Sequence, residues 1–142
     1  MPRILVIDDD KDFRHYMVTL LERAGYEVLT LQDSGRAKVM LAAESVDAVV
    51  TDLYMPNADG IEIVDVVRES APMVPVIGVS GSSRGGRDPC IEAMKALGAK
   101  AVLTKSLNVD AFLTVLRDAI QAARQGHPTS RAEPPNSGRG FQ

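Results

Sequence analysis

The stretch RILVIDDDKDF (residues 3–13) combines a short apolar run, an acidic turn and the start of an amphipathic segment. Residues 3–7 are rich in β-branched side chains and continuously apolar, which is typical of a strand buried on both faces. Asp10 stands where the N-cap of a helix belongs. The stretch therefore predicts a buried strand that leads directly into a helix.

The same alternation continues along the chain. Further strands are predicted at YEVLTL (26–31), AVV (48–50), VIGV (76–79) and AVL (101–103). The predicted helices are marked by helically spaced apolar residues, at Phe13, Met17, Leu20, Leu21 and Ala24, in 36–44, 61–69 and 91–97, and at Phe112, Leu116, Ala119, Ile120 and Ala123. Further N-caps are predicted at Ser34 and Asp59, and helix ends at Gly25 and Gly98.

Five strands that alternate with helices imply parallel pairing and right-handed crossovers. We therefore predict an α/β fold, a doubly wound five-stranded parallel sheet of (βα)5 type. The flavodoxin-like strand order 2-1-3-4-5 is the expected one.

Composition divides the chain once, near residue 124. Residues 1–124 are predicted to form one domain. Residues 125–142 (QGHPTSRAEPPNSGRGFQ) are rich in Pro, Gly and Ser with few large apolar groups, so we expect a disordered tail.

Charge and hydropathy exclude several classes of protein. The net charge of -3 and pI near 5.3 argue against a nucleic-acid binder. No apolar run approaches the roughly 18 residues of a membrane span. The apolar start is too short for a secretory signal, so we expect a cytoplasmic protein. Cys90 alone excludes an intramolecular disulfide.

Polar side chains follow four of the five predicted strands. Asp8 and Asp9 follow the first, Asp52 the third, Ser80 the fourth and Lys105 the fifth. Sites in such sheets form at the carboxyl ends of the strands. Three crowded carboxylates need raised pKa values or a cation, and Mg²⁺ is the expected ion beside a phosphate. A carboxylate can form an aspartyl phosphate, and the central Asp52 is the natural nucleophile.

These residues match a family pattern. Asp8-Asp9, TDLYMPNADG (51–60), VIGVSG (76–81) and Thr104-Lys105 resemble the receiver domain of bacterial two-component response regulators, over roughly residues 1–124. The resemblance implies that Asp52 takes a phosphoryl group from a phosphohistidine. It also implies that Asp9, Asp52 and the Tyr54 carbonyl bind Mg²⁺, with Asp8 helping through water.

The resemblance also implies how the signal is passed on. Ser80 would donate a hydrogen bond to the phosphoryl group, and Lys105 would pair with it. The donor would be a sensor histidine kinase or a histidine phosphotransfer protein. The surface of helix 4, strand 5 and helix 5 would then change for a downstream target protein. We expect a single-domain regulator of chemotaxis or phosphorelay type, as a monomer or a phosphorylation-dependent dimer, without nucleic acid or membrane insertion.

Two residues depart from the family pattern. Ser106 stands where receivers carry a Pro after the Lys, so a trans Lys105-Ser106 bond is expected, because a cis bond without proline costs about 2.5–4 kcal/mol. Val102 stands where the family usually has Tyr or Phe. Its small side chain cannot signal phosphorylation through the burial or exposure of an aromatic ring. Signalling would then depend on backbone shifts in helix 4.

Two alternative functions remain open from the sequence. Asp8 and Asp10 form a D-x-D pattern, which with Ser80 and Lys105 resembles haloacid-dehalogenase-type phosphatases. Asp8 would be the nucleophile there and Asp10 the acid/base, but the further acidic motif is absent and Asp52 has no role. The second alternative is a pseudo-receiver, an interaction module that is never phosphorylated.

Overall fold

A computed structural model describes residues 1–53, 60–81, 89–105 and 108–126 of the chain. The strands are β1 (Arg3–Ile7), β2 (Glu27–Leu31), β3 (Ala48–Asp52), β4 (Val76–Ser80) and β5 (Ala101–Thr104). The helices are α1 (Lys11–Arg23), α2 (Ala37–Ala43), α3 (Gly60–Ser70), α4 (Pro89–Leu97) and α5 (Val109–Arg124). A 3₁₀ turn, Ser34–Arg36, precedes α2.

The five strands form one parallel sheet in the order β2-β1-β3-β4-β5, so the predicted fold class and strand order are confirmed. Its register brings the carboxyl ends of the inner strands together. Ile7 pairs with Thr51, Asp52 with Val79, and Ser80 with Thr104. The residues that follow these pairs therefore share one edge of the sheet.

Both faces of the sheet are covered, which explains why its strands are continuously apolar. Leu5, Ile7 and Val49 belong to one buried cluster, which includes residues of α3 and α4 such as Val67 and Met94. The alternate strand residues belong to the opposite cluster with α1 and α5, which comprises Ile4, Val6, Met17, Leu20, Leu21, Ala48, Val50, Ile77, Val79, Phe112, Leu116 and Ile120. Successive strand side chains point to opposite faces, so each strand residue has a core to enter.

The ends of the helices follow local chemistry. The Asp10 carboxylate accepts hydrogen bonds from the backbone N–H groups of Asp12 and Phe13, so the predicted cap of α1 is confirmed. Gly25, two residues after the end of α1, and Gly98, directly after α4, take positive φ values of 96° and 124°, as predicted for helix ends. The predicted cap Asp59 lies outside the described residues.

The N-cap predicted at Ser34 is wrong. Asp33 caps this segment by accepting a hydrogen bond from the backbone N–H of Gly35, and Ser34 is the first residue of the 3₁₀ turn. The Ser34 hydroxyl is instead 3.3 Å from Glu62 Oε1, to which it donates. Both residue types are good caps, so the sequence pattern did not distinguish the two positions.

The last helix, α5, ends at Arg124, and the division of the chain into a domain and a tail near that residue stays a prediction. From residue 127 onward, the predicted tail lies outside the described residues. Over the residues that the structure describes, no helix has the length and apolarity needed to cross a membrane.

The packing of α5 on the sheet can be tested at Leu116, which is fully buried. Leu116→Ala should lower the free energy of unfolding by about 2–5 kcal/mol, because it removes buried methyl groups and leaves a cavity. Urea unfolding followed by circular dichroism measures the change. The control Thr114→Ala, at an exposed position of the same helix, should stay within about 0.5 kcal/mol of the parent chain. Equal effects of the two substitutions would contradict the packing.

Candidate functional site

Asp8 is held at the carboxyl end of β1 by three hydrogen bonds. Its backbone N–H donates to the Leu31 carbonyl at 3.1 Å, and its Oδ1 accepts from the Asp10 backbone N–H at 2.8 Å. The Arg14 guanidinium, from the first turn of α1, donates to the Asp8 carbonyl at 2.8 Å. The side chain is 1% exposed. Asp8 is thus fixed in position before any ligand binds.

The carboxylates of Asp8, Asp9 and Asp52 meet at this edge of the sheet. Each offers one oxygen within 4.8 Å of the others, as the sequence predicts. Asp52 is the last residue of β3 and is 5% exposed, whereas Asp9 is open to solvent. One side of the cluster is therefore reachable by an ion or a small phosphodonor.

Lys105 places an ammonium against the two buried carboxylates. Its Nζ lies 2.9 Å from Asp8 Oδ2 and 3.6 Å from Asp52 Oδ2. The backbone positions this side chain, because the Lys105 N–H donates to the Ser80 carbonyl at 2.8 Å, directly after the Ser80–Thr104 pair. The Nζ also lies 4.6 Å from the centroid of the Phe13 ring.

The charge of Lys105 is stabilised by its neighbours. Burial acts to lower the pKa of the ammonium, but the hydrogen bond to Asp8 and the negative charges of Asp52, Asp8 and Asp10 outweigh it. The net effect raises the pKa of Lys105 above its ordinary value. The side chain is therefore a permanent cation at neutral pH.

Hydroxyl groups complete the edge. Ser80 ends β4 and is 2% exposed. Thr51 is fully buried, and its hydroxyl donates to the Asp52 carbonyl at 3.1 Å. Thr104 ends β5 and is exposed. Of the three hydroxyls, Thr51 has a structural role beside Asp52, whereas Ser80 belongs to the strand that flanks Asp52 on the side away from Asp8.

The acidic cluster fits a hard divalent cation. Carboxylate oxygens are the ligands that Mg²⁺ prefers. Oδ2 of Asp8 is buried and faces the Lys105 ammonium at 2.9 Å, so the buried side of the cluster already holds a positive charge. The Lys105 ammonium faces three carboxylates whose oxygens lie within 4.8 Å of one another, and a bound divalent cation would offset more of their negative charge.

Several predictions fall on residues outside the described part of the chain. These are Tyr54, whose carbonyl is an expected metal ligand, and the Lys105-Ser106 peptide bond. Val102 lies inside the described part of the chain. It pairs with Gly78 and is partly buried against the α3–α4 side of the core. A Cβ atom added to Gly78 would lie 3.0 Å from Met94 Cε and 3.3 Å from Val102 Cγ2, so these two side chains cover the glycine.

Two residues near the site are not among the predicted site residues. Arg14 belongs to none of the motifs identified in the sequence, and Phe13 was predicted only as part of the apolar face of α1. Phe13 does pack against that core, yet its ring also contacts the Lys105 ammonium. Their position in the first turn of a helix that begins at the site is the signal that could have found them.

Comparison with known proteins identifies the family. The family described as response regulator receiver domain matches residues 4–117. The response regulator receiver protein CpdR of Brucella abortus is 33% identical over 123 residues, which is 87% of this chain and 100% of that protein. The receiver domain structure from Clostridium thermocellum is 31% identical with a TM-score of 0.78, and covers 89% of this chain and 100% of that one.

Longer relatives share only this region. The nitrogen assimilation regulatory protein NtrX of Azorhizobium caulinodans is 28% identical over 123 residues, which is 85% of this chain. The matched region is about a quarter (26%) of the length of NtrX.

The chain belongs to the receiver domains of two-component response regulators. Members of this family are phosphorylation-controlled signalling domains rather than conventional enzymes, and they interact with sensor kinases and downstream effectors. They bind Mg²⁺ at an acidic pocket, and this chain has the aspartate cluster described above. These comparisons do not support the haloacid-dehalogenase-type alternative.

The ion pairs of Lys105 can be tested by Lys105→Met. The change should lower the free energy of unfolding by about 1–3 kcal/mol at pH 7 without divalent ions, because it leaves two buried carboxylates without their cation. The folded-state pKa of Lys105 is raised, so the contribution is fully present below the unfolded-state value and is lost as pH rises through the raised one. Urea unfolding between neutral and strongly alkaline pH measures both effects.

Lys100→Met serves as the control, because this lysine is exposed. It should leave stability within about 0.5 kcal/mol of the parent chain. A Lys105→Met variant as stable as the control at pH 7 would show that the ion pairs contribute nothing.

Proposed function

We propose that Asp52 is the phosphoryl acceptor of this receiver, supplied by a sensor histidine kinase or a histidine phosphotransfer protein. The observation that carries the proposal is the position of Asp52. It ends the central strand, its carboxylate lies within 4.8 Å of those of Asp8 and Asp9, and a fixed ammonium stands 3.6 Å away. Phosphoryl transfer depends mainly on such positioning and charge stabilisation.

In the proposed reaction a carboxylate oxygen of Asp52 attacks the phosphorus of the phosphohistidine. The new oxygen–phosphorus bond forms as the phosphorus–nitrogen bond breaks, and the donor imidazole keeps that electron pair. Lys105 exchanges part of its contact with the carboxylates for a phosphoryl oxygen, and the Ser80 hydroxyl donates to another. Attack of water on phosphorus later restores the carboxylate, so the chain assists only its own phosphorylation and dephosphorylation.

The proposal includes a magnesium ion, with Asp8, Asp9, Asp52 and the Tyr54 carbonyl as its ligands. When bound, the ion neutralises charge between the carboxylates and the incoming phosphoryl oxygens. The cluster supports this assignment, because the carboxylates of Asp8, Asp9 and Asp52 each offer an oxygen within 4.8 Å of the others.

The geometry disfavours Asp8 as a phosphatase nucleophile. Asp8 Oδ1 already accepts the Asp10 N–H at 2.8 Å, and its Oδ2 pairs with the Lys105 ammonium at 2.9 Å. The proposed acid/base of that alternative, Asp10, is occupied as the cap of α1. The pseudo-receiver alternative is not favoured either, since the described acidic residues, Ser80 and Lys105 are all present at one edge of the sheet.

We further propose that phosphorylation changes the surface formed by α4, β5 and α5, which a downstream target protein reads. Val102 and Met94 pack together over Gly78 beside this surface. With no ring at position 102, a displacement of α4 is the route left for the signal. Cytoplasmic location, and a monomer or phosphorylation-dependent dimer, remain predictions.

Phosphorylation of the isolated chain is the direct test of Asp52. With Mg²⁺ and a small acyl phosphate donor, the chain should gain the mass of one phosphoryl group, read by intact mass spectrometry. Asp52→Asn should abolish the adduct, because an amide is a far weaker nucleophile than a carboxylate.

Asp8→Asn is the matched control for the two acceptor assignments. It should slow phosphorylation by weakening Mg²⁺ binding, yet leave the acceptor in place at high Mg²⁺. An adduct that persists in Asp52→Asn and disappears in Asp8→Asn would support the phosphatase alternative. No adduct from either a small donor or a kinase would support the pseudo-receiver.

The proposed output surface can be followed by amide chemical shifts. Phosphorylation should move resonances of α4, β5 and the first turn of α5 in addition to those around Asp52. Asp52→Asn, treated with the same donor and Mg²⁺, is the control and should show no such change. Shifts confined to the neighbours of Asp52 would contradict this route of signalling.

A further inference from the structure

We propose that Phe13 is a positioning residue for Lys105. Its ring supplies a fixed apolar face that holds the ammonium over the acidic site, both before and after Asp52 is phosphorylated. The inference rests on the proposed function, because it concerns the efficiency with which Lys105 serves the phosphoryl group.

The contact geometry supports this role. Lys105 Nζ lies 4.6 Å from the centroid of the Phe13 ring, inside the range of about 6 Å over which a cation is attracted to an aromatic face. The same nitrogen is 2.9 Å from Asp8 Oδ2 and 3.6 Å from Asp52 Oδ2. The ammonium therefore lies among three groups, of which only the ring carries no charge.

The ring is itself held in place. The Phe13 backbone N–H donates to the Asp10 carboxylate at 3.2 Å, which fixes the first turn of α1 beside the site. The ring packs against the core formed by α1, α5 and the sheet, and it contacts the Tyr16 ring at a centroid distance of 5.9 Å and an interplanar angle of 39°. Because the ring has these neighbours, it acts as a rigid surface for the lysine.

A rigid contact matters because lysine is a poorly directed cation. Its ammonium is a compact charge on a flexible four-carbon stem, and ordering that stem has an entropic cost. The carboxylate contacts change during the reaction, since Asp52 becomes an acyl phosphate and Asp8 is a proposed metal ligand. The contact with the ring does not depend on either event, so it keeps the ammonium within reach of the phosphoryl oxygens.

Phe13→Leu is the test, because leucine keeps an apolar side chain but has no aromatic face. With the small acyl phosphate donor and saturating Mg²⁺, the phosphorylation rate should fall about 3- to 10-fold, as expected for loss of a partly desolvated cation–π contact. Phe13→Tyr keeps the ring and should restore the rate to within about twofold of the parent chain.

Two further measurements separate positioning from a structural role. In a Lys105→Met background, Phe13→Leu should have no further effect on the rate, because the cation it positions is absent. In the unphosphorylated parent chain, the Lys105 side-chain methylene resonances should be shifted upfield by the ring current of Phe13, and the shift should be lost in Phe13→Leu.

The outcomes distinguish the inference from the function on which it rests. An unchanged rate in Phe13→Leu, an equal loss in the Lys105→Met background, or failure of Phe13→Tyr to restore the rate would overturn the role of Phe13 while leaving Asp52 as acceptor. A parent chain that takes no phosphoryl group at all would overturn the proposed function, and the positioning role with it.

Discussion

Mutual repulsion among three carboxylates is the constraint on which this site depends. At separations within 4.8 Å, each pair of unit negative charges repels by roughly 3 kcal/mol or more at the effective dielectric constant of a protein surface. The fold imposes this proximity, because the register of β1 with β3 brings Asp8 and Asp52 to the same level of the sheet. Lys105 offsets part of the repulsion, and a cation bound to the cluster would offset more. The site therefore favours binding of a cation. A negatively charged phosphoryl group can be accepted there only when such positive charge is also present.

The architecture could be predicted from the sequence because each strand is a short, continuous run of apolar residues, which is typical of a strand buried on both faces. Val49 and Val50 enter opposite cores, so the β3 run is apolar without alternation. The site was predictable for a related reason, since parallel strands bring residues such as Asp52 and Lys105 to one edge wherever they stand in the chain. Here position relative to a strand end carried more information than residue type.

Other features could not be predicted, because they depend on where a side chain goes in three dimensions. Asp33 and Ser34 are both good caps, and only the backbone path decides that Asp33 takes the role. Phe13 has the spacing of a core residue and packs as one, yet it also contacts Lys105. Asp8 was expected to reach Mg²⁺ through water. Its carboxylate is buried and paired with Lys105, which the order of residues did not indicate.

The acceptor assignment has one most direct test, the chemical identification of the phosphorylated side chain. Borohydride reduces an acyl phosphate of aspartate to homoserine with release of phosphate, so the chain should be phosphorylated with Mg²⁺, reduced, digested and sequenced by mass spectrometry. We predict homoserine at position 52 and intact aspartate at positions 8 and 9. Homoserine at position 8 or 9, with aspartate retained at position 52, would contradict the assignment of Asp52 as acceptor.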